Sequence, residues 1–218
     1  MTALICIIDD DDSFRTAIAR LLQLRGYDVT QFATADDFLV EVRKGIEPDC
    51  VLLDISLPGL SGPALQERLV ELGCSFPIIF VTGFGDVPTT VRAIKAGAED
   101  VLTKPVSEQA LMDGIKSALA HLHRDRSNRE WRRGAHALLE TLTPREREVF
   151  ECVVRGKSNK QAGRELGITE RTIKAHRQRI FEKLHARTVA DLVSLAERLD
   201  LLSHQRIAVT DTRPVSID

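Results

Sequence analysis

From the start of the chain to about residue 120, short apolar runs alternate with segments whose apolar positions repeat every three to four residues. That alternation is the mark of repeated strand–helix units. It predicts strands near 4–8, 28–32, 50–54, 77–82 and 100–103, and helices near 12–25, 35–44, 62–72, 86–96 and 107–122. Gly26 closes the first helix, and Gly45, Gly73 and Gly97 follow the next ones, as C-terminal caps should. Ser107 before Glu108 suits the start of the fifth.

Between Arg124 and Arg133 the chain is charged and lacks an apolar stripe, so it is read as a linker or a continuation of the fifth helix. Every later periodic segment is helical, near 143–155, 158–166, 169–184 and 188–200. Thr143, Pro144 and Glu146 form a capping box with proline at the first helical position. Thr169 before Glu170 caps the third helix of this group in the same way. The periodicity stops at Ser203, which predicts a disordered tail. The expected division is 1–121, a linker at 122–140, a helical domain at 141–202 and a tail at 203–218.

The 218 residues suit two small domains better than one. Apolar residues at 43% and charged residues at 28% exclude wholesale disorder. Apolar runs of about five residues fall far short of the roughly 20 that span a bilayer, so no membrane association is expected. Cys6, Cys50, Cys74 and Cys152 are scattered without metal-ligand spacing. They read as reduced thiols of a cytoplasmic protein. The net charge of −2 hides a division. Residues 1–121 carry 10 Lys and Arg against 18 Asp and Glu, whereas residues 141–202 carry 13 against 9. An acidic half joined to a basic half suggests a metal or phosphoryl site followed by a polyanion-binding module.

Candidate chemistry sits at the strand ends. Leu4–Ile8 runs into Asp9 and Asp10, Cys50–Leu53 into Asp54, Ile78–Val81 into Thr82, and Val101–Thr103 into Lys104. In an open parallel sheet, ligands bind beyond the carboxyl ends of the strands, so these five side chains should share a crevice. A carboxylate at Asp54 could accept a phosphoryl group as an acyl phosphate. Bringing one anion to another needs charge cancellation and positioning. Asp9, Asp10 and Asp54, with the Ser56 carbonyl, suit Mg²⁺, a hard ion that prefers oxygen. The Lys104 ammonium and the Thr82 hydroxyl would pair with phosphoryl oxygens, and Gly83 leaves room for the group to enter. Taken singly, each residue is more simply a helix-terminal acid, a turn residue or a surface lysine. Their order along four strands is what argues for a site.

Those motifs resemble the receiver domain of two-component response regulators. The resemblance rests on the acids of Ile-Ile-Asp-Asp-Asp-Asp-Ser-Phe-Arg and on Asp54 ahead of Leu-Pro-Gly-Leu-Ser-Gly. It rests also on Val-Thr-Gly-Phe-Gly-Asp-Val and on Lys-Ala-Gly-Ala-Glu-Asp-Val-Leu-Thr-Lys-Pro. It implies an α/β, flavodoxin-like (βα)5 domain with a five-stranded parallel sheet over residues 1–121. It also implies phosphorylation of Asp54 by a sensor histidine kinase, supported by Asp9, Asp10, Thr82 and Lys104, and a cis peptide before Pro105. Val101 departs from the family: an aromatic residue commonly stands there, and its rotation reports phosphorylation. The signal must then travel through Thr82 and the surrounding backbone.

In residues 158–184 two helices meet at Gly167, the cue for a helix-turn-helix. Ile173, Ile180 and Leu184 lie on a side suited to burial. Arg171, Lys174 and Gln178 form another stripe, suited to the major groove. Lys174, Ala175 and Gln178 are the candidate base contacts. Lys160, Arg171, Thr172, Arg177 and Arg179 are the candidate phosphate contacts, which position without specifying. His176 suits either packing or a phosphate. A basic solvated face on a small bundle would look similar. The sequence Leu-Thr-Pro-Arg-Glu-Arg-Glu-Val, with Gly156 to Lys160 and Thr172 to His176, closely resembles the LuxR-type four-helix DNA-binding domain.

Together the two resemblances imply a regulator of the FixJ/NarL type, activated by phosphorylation and binding double-stranded promoter DNA as a dimer. RNA polymerase is a further candidate partner. Segment 86–105 is the expected dimer surface of the receiver, and helix 188–200 would pair between protomers. Its Leu192, Leu195 and Leu199 are equally compatible with core packing. Two rivals differ in class. An aspartyl phosphatase of the haloacid dehalogenase type would need an Asp-x-Asp nucleophile on its first strand, whereas Asp54 has Ser56 two positions on. No turnover of external substrates is therefore expected, only slow loss of the chain's own acyl phosphate. A receiver joined to a protein- or RNA-binding bundle is the other rival.

Overall fold

The computed structural model describes residues 2–83, 91 and 94–202. The helix expected near 86–96 and the tail expected at 203–218 fall largely or wholly outside these residues. Five strands, β1 (Leu4–Ile8), β2 (Asp28–Phe32), β3 (Cys50–Asp54), β4 (Ile78–Thr82) and β5 (Asp100–Thr103), form one parallel sheet. Its order is β2-β1-β3-β4-β5. The helices of this part are α1 (Asp12–Leu24), α2 (Ala35–Arg43), α3 (Gly62–Glu71) and the start of α4 (Glu108–Glu140).

The central strands are apolar along their whole length because both faces of the sheet are covered. Cys6, Ile8, Val51, Leu53, Ile78 and Phe80 face one side, where Phe38 and Leu39 of α2 and Leu65 and Leu69 of α3 pack on them. Ile5, Ile7, Cys50, Leu52, Ile79 and Val81 face the other, against Ile18 and Leu22 of α1 and Leu111 and Ile115 of α4. Each such side chain contributes roughly 1.5–3 kcal/mol by leaving water. The helices start where capping residues satisfy free backbone N–H groups. Asp11 accepts from the N–H groups of Ser13 and Phe14, and Thr34 from that of Asp37. Gly26, Gly45, Gly73 and Gly97 all take positive φ, as helix-ending glycines should.

The second part contains α5 (Pro144–Val154), α6 (Asn159–Leu166), α7 (Glu170–Lys183) and α8 (Val189–Arg198). Their core holds Val149, Phe150, Val153, Ile173, Ile180, Leu184, Leu192, Ala196 and Leu199. Thr143 and Glu146 make both hydrogen bonds of the capping box, and Ser158 with Gln161 makes a second one ahead of α6. Among the described residues no helix is long and apolar enough to cross a membrane.

The chain divides into two compact units between Arg126 and Ser127. That point lies inside α4, which is continuous to Glu140. The charged stretch, read as a linker or a continuation of the fifth helix, is therefore that continuation. The cause is composition: residues 115–140 contain no proline and one glycine, and are rich in Ala, Leu and Arg. Its apolar stripe is broken, with Leu111, Ile115, Ala118 and Leu122 buried at the start and residues 123–130 exposed. Ala135 and Leu139 are then buried against the second core, with Trp131 and Leu138 partly covered. The exposed middle carries no periodic signal, which is why pattern alone leaves linker and helix both open.

Candidate functional site

The sheet order reverses between β1 and β3, so connections leave in opposite directions and open a crevice at the carboxyl ends of these strands. Asp9 follows β1 and is 1% exposed; Asp54 ends β3 and is 7% exposed. Asp10 is exposed beside them. Carboxylate oxygens of Asp9, Asp10 and Asp54 all lie within 4.8 Å of one another. Lys104, one residue past β5, reaches into the crevice. Its Nζ lies 2.7 Å from Asp9 Oδ2 and 2.7 Å from Asp54 Oδ2. Thr82, the last residue of β4, is buried, and its carbonyl accepts the Lys104 N–H at 2.6 Å. Residues nearly a hundred positions apart are thereby held together by the register of four parallel strands.

Backbone groups hold the two buried acids. The Asp11 N–H donates to Asp9 Oδ1 at 3.0 Å, and the Ser56 N–H donates to Asp54 Oδ1 at 2.9 Å. Ser56 itself is exposed, and the Lys104–Pro105 peptide is cis. Burial raises the Asp9 carboxyl above its ordinary value, against the Lys104 and Asp11 hydrogen bonds that lower it; the nearby Asp54 charge adds to the rise. Burial would lower the Lys104 ammonium, but the hydrogen bonds to Asp54 and Asp9 outweigh it and hold this group above its usual range. The pocket thus combines anionic oxygens with the fixed cation of Lys104.

Three neighbours of the pocket lie within the quoted motifs, yet the sequence assigns them no role. Phe14 on α1 lies under the Lys104 ammonium, 4.3 Å from ring centroid to Nζ. A cation over an aromatic face is attracted by the ring's quadrupole. The guanidinium of Arg15 donates to the Asp9 carbonyl. Gly62, at the start of α3, lies against the Asp54 backbone, with its N–H donating to the Ile55 carbonyl at 3.1 Å. Phe14 and Arg15 look like ordinary helix residues in sequence, and only the close approach of α3 to β3 makes Gly62 special. At Gly83 a Cβ would meet open space.

In the second part, α6 and α7 are joined by Gly167 at φ 67°, a left-handed cap that glycine adopts without strain. Gly163 makes the turn tight: a Cβ there would stand 2.8 Å from the Ile168 carbonyl oxygen. Ile173 and Ile180 are fully buried and Leu184 nearly so. On the other side of α7, Arg171, Lys174, Ala175, Gln178 and Arg179 are exposed, as is Lys160 on α6. Arg177 is half-buried. Thr172 is half-buried too, and its hydroxyl lies 2.9 Å from that of Thr169. His176 is half-buried, and its Nδ1 is enclosed with no partner among the described residues. Leu192 on α8 and Leu199 at its C-terminal cap lie within the core of this unit and Leu195 is partly covered, which is the packing reading of that stripe. The basic stripe and the apolar stripe of α7 therefore occupy different faces, the arrangement a groove-binding helix needs.

Residues 5–116 match the family described as the response regulator receiver domain, and residues 140–196 match the bacterial regulatory proteins of the luxR family. Nodulation protein W of Bradyrhizobium diazoefficiens is 40% identical over 202 residues, covering 91% of this chain and 87% of that protein. The response regulator TodT of Pseudomonas putida is 40% identical over 197 residues, with 90% and 86% covered. The transcriptional regulatory protein FixJ of B. diazoefficiens is 37% identical over 199 residues, with 91% and 97% covered. Among solved structures, response regulator StyR aligns over 91% of this chain and 100% of its own, at 41% identity and a TM-score of 0.77. Full-length FixJ from B. japonicum aligns over 92% and 99%, at 37% identity and a TM-score of 0.59. The chain accordingly belongs to the two-component response regulators of the FixJ type, phosphorylation-dependent transcriptional regulators in which a receiver that answers to a histidine kinase precedes a LuxR-type DNA-binding domain.

Proposed function

We propose that Asp54 is the residue that accepts the phosphoryl group. A carboxylate oxygen of Asp54 forms a bond to phosphorus as the bond from phosphorus to the kinase's histidine nitrogen breaks, leaving an acyl phosphate on Asp54. The observation that carries this reading is the Lys104 ammonium, 2.7 Å from both Asp9 and Asp54 at the mouth of the crevice. It is placed to neutralise an added anion. Thr82, at the end of the neighbouring strand, offers a hydroxyl to a second phosphoryl oxygen.

Asp9, Asp10 and Asp54, with the Ser56 carbonyl, would hold Mg²⁺. The all-oxygen donor set and the 4.8 Å clustering of the three carboxylates fit a hard divalent ion. When bound it supplies positive charge to offset that of the incoming phosphoryl group. The protein's own share is to hold the Asp54 carboxylate by the Ser56 N–H and to shelter it from water.

On DNA, Lys174, Ala175 and Gln178 read base edges, while Lys160, Arg171, Thr172, Arg177 and Arg179 meet phosphates. The exposure of Lys174, Ala175 and Gln178 on one face of α7 supports this. Phosphorylation shifts a pre-existing equilibrium of the receiver toward a dimer, which sets two recognition helices on related half-sites. RNA polymerase is the partner a promoter-bound dimer would meet. Four free cysteines accord with a cytoplasmic location. Acetyl phosphate with Mg²⁺ should add one phosphoryl group by intact mass. An Asp54→Asn variant that labels as well as the parent would defeat the assignment.

A further inference from the structure

The first turn of α5 holds the C-terminal ends of both helices of the helix-turn-helix. The Arg145 guanidinium donates to the carbonyl of Leu166, the last residue of α6. Next to it, the Glu146 carboxylate is 2% exposed and accepts at one oxygen from the Lys183 ammonium at 2.7 Å and from the Thr143 N–H at 2.9 Å. Lys183 is the last residue of α7. Its ammonium also donates to the Thr141 carbonyl at 2.8 Å, where the chain leaves α4. Lys183 is therefore a joint between the ends of α4 and α7 and the start of α5.

Helix geometry separates this joint from the DNA-facing stripe. At about 100° per residue, the nine positions from Lys174 to Lys183 turn through a half circle beyond whole turns. Lys183 lies on the opposite side of α7 from Lys174. It cannot enter the groove that Lys174 enters. Apolar contacts of Ile173 and Ile180 hold α7 against the core, but they are not directional. A hydrogen-bonded ion pair with one partner fully buried is directional, and it tolerates few positions of the helix end.

We propose that Glu146 and Lys183 are positioning residues that set the tilt of α7, and so govern base discrimination without touching DNA. This rests on the reading of α7 as the base-contacting helix. A pair that served stability alone would change the fraction of folded protein. It would leave the preference of that folded protein for one sequence over another unaltered.

The test uses the full-length chain treated with acetyl phosphate and Mg²⁺ and a duplex enriched by it from a randomised DNA pool, with a scrambled duplex of equal length. Lys183→Met should lower the ratio of selected to scrambled affinity about tenfold, which corresponds to about 1.4 kcal/mol. Scrambled-duplex affinity and its salt slope should stay as in the parent, because phosphate contacts set them. Should Lys183→Met lose helical ellipticity, a Glu146→Leu/Lys183→Met variant carries the same test, since removing both partners leaves no unpaired buried charge. A parental affinity ratio in the folded variant, or equal weakening on both duplexes, would overturn the proposal. If the parent enriches no duplex at all, the reading of α7 fails first and takes the proposal with it.

Discussion

Gly62 lies so close to Asp54 that a Cβ on it would stand 2.2 Å from the Asp54 carbonyl oxygen. The neighbouring atoms are backbone, at 3.1 Å from the Asp54 carbonyl carbon and the Ile55 Cα, so no side-chain rotation could relieve the clash. The loop after β3 and the start of α3 are thus held at a separation that only glycine permits.

Gly62→Ala should push this loop away from the crevice and shift the Asp54 carboxylate from Lys104. Overpacking of this kind costs about 1–3 kcal/mol, which a urea melt of the variant will register. Labelling by acetyl phosphate should slow about tenfold, since roughly 1.4 kcal/mol of misplacement has that effect on a rate. A variant that labels at the parental rate would mean that the loop has room to give.

Lys104→Met leaves two buried carboxylates without their cation. In metal-free buffer the receiver should melt lower than the parent, because like charges in a sheltered pocket repel. Added Mg²⁺ should raise the melting temperature more in the variant, as the ion no longer competes with an ammonium for Asp9 and Asp54. Thermal melts across a Mg²⁺ titration decide this, and equal Mg²⁺ responses would count against shared use of the two acids.

Lys174→Ala and Arg179→Ala should weaken DNA binding in different ways. Loss of Lys174 should cost about 1–3 kcal/mol on the preferred duplex and relax selectivity at one base. Loss of Arg179 should weaken all duplexes alike and reduce the salt slope by about one. Fluorescence anisotropy at several salt concentrations separates the two behaviours; identical salt slopes for parent and Arg179→Ala would remove Arg179 from the phosphate contacts.

The Lys183 hydrogen bond, with that of the Thr143 N–H, holds the Glu146 carboxyl down to about 2. A carboxyl depressed in the folded state contributes stability that is present above its unfolded value, roughly 4.3, and lost as pH falls toward the folded one. The helical part of the chain should therefore weaken between about pH 4.5 and pH 2. Glu146→Gln should be less stable near neutral pH, and its stability should fall less steeply through this window. Circular dichroism melts at pH 6, 4 and 3 provide the comparison, and parallel slopes for both proteins would show that other acids govern the range.

Much of the site is legible along the chain because strand and chemistry coincide. Ile5 to Ile8, Val51 to Leu53 and Ile78 to Val81 are unbroken apolar runs, and an acid or hydroxyl follows each of them. A run that must stay apolar on both faces is easily found, and the residue ending it is automatically at the crevice. Phe14 and Gly62 lack any such label, because their importance comes from what packs beside them. The Glu146–Lys183 pair is invisible for the same reason: Glu146 reads fully as a capping-box residue, and nothing local points to a lysine 37 positions on.

The order of strand, helix and strand, the charge division between the two parts and the acids at the strand ends are properties of local pattern, so the chain alone determines them. Where Phe14 and Gly62 stand against the crevice, and which cation meets which buried carboxylate, depend on distances across the fold. Those are decided when the helices pack, because burial requires each polar group to find its partner wherever the packing brings one.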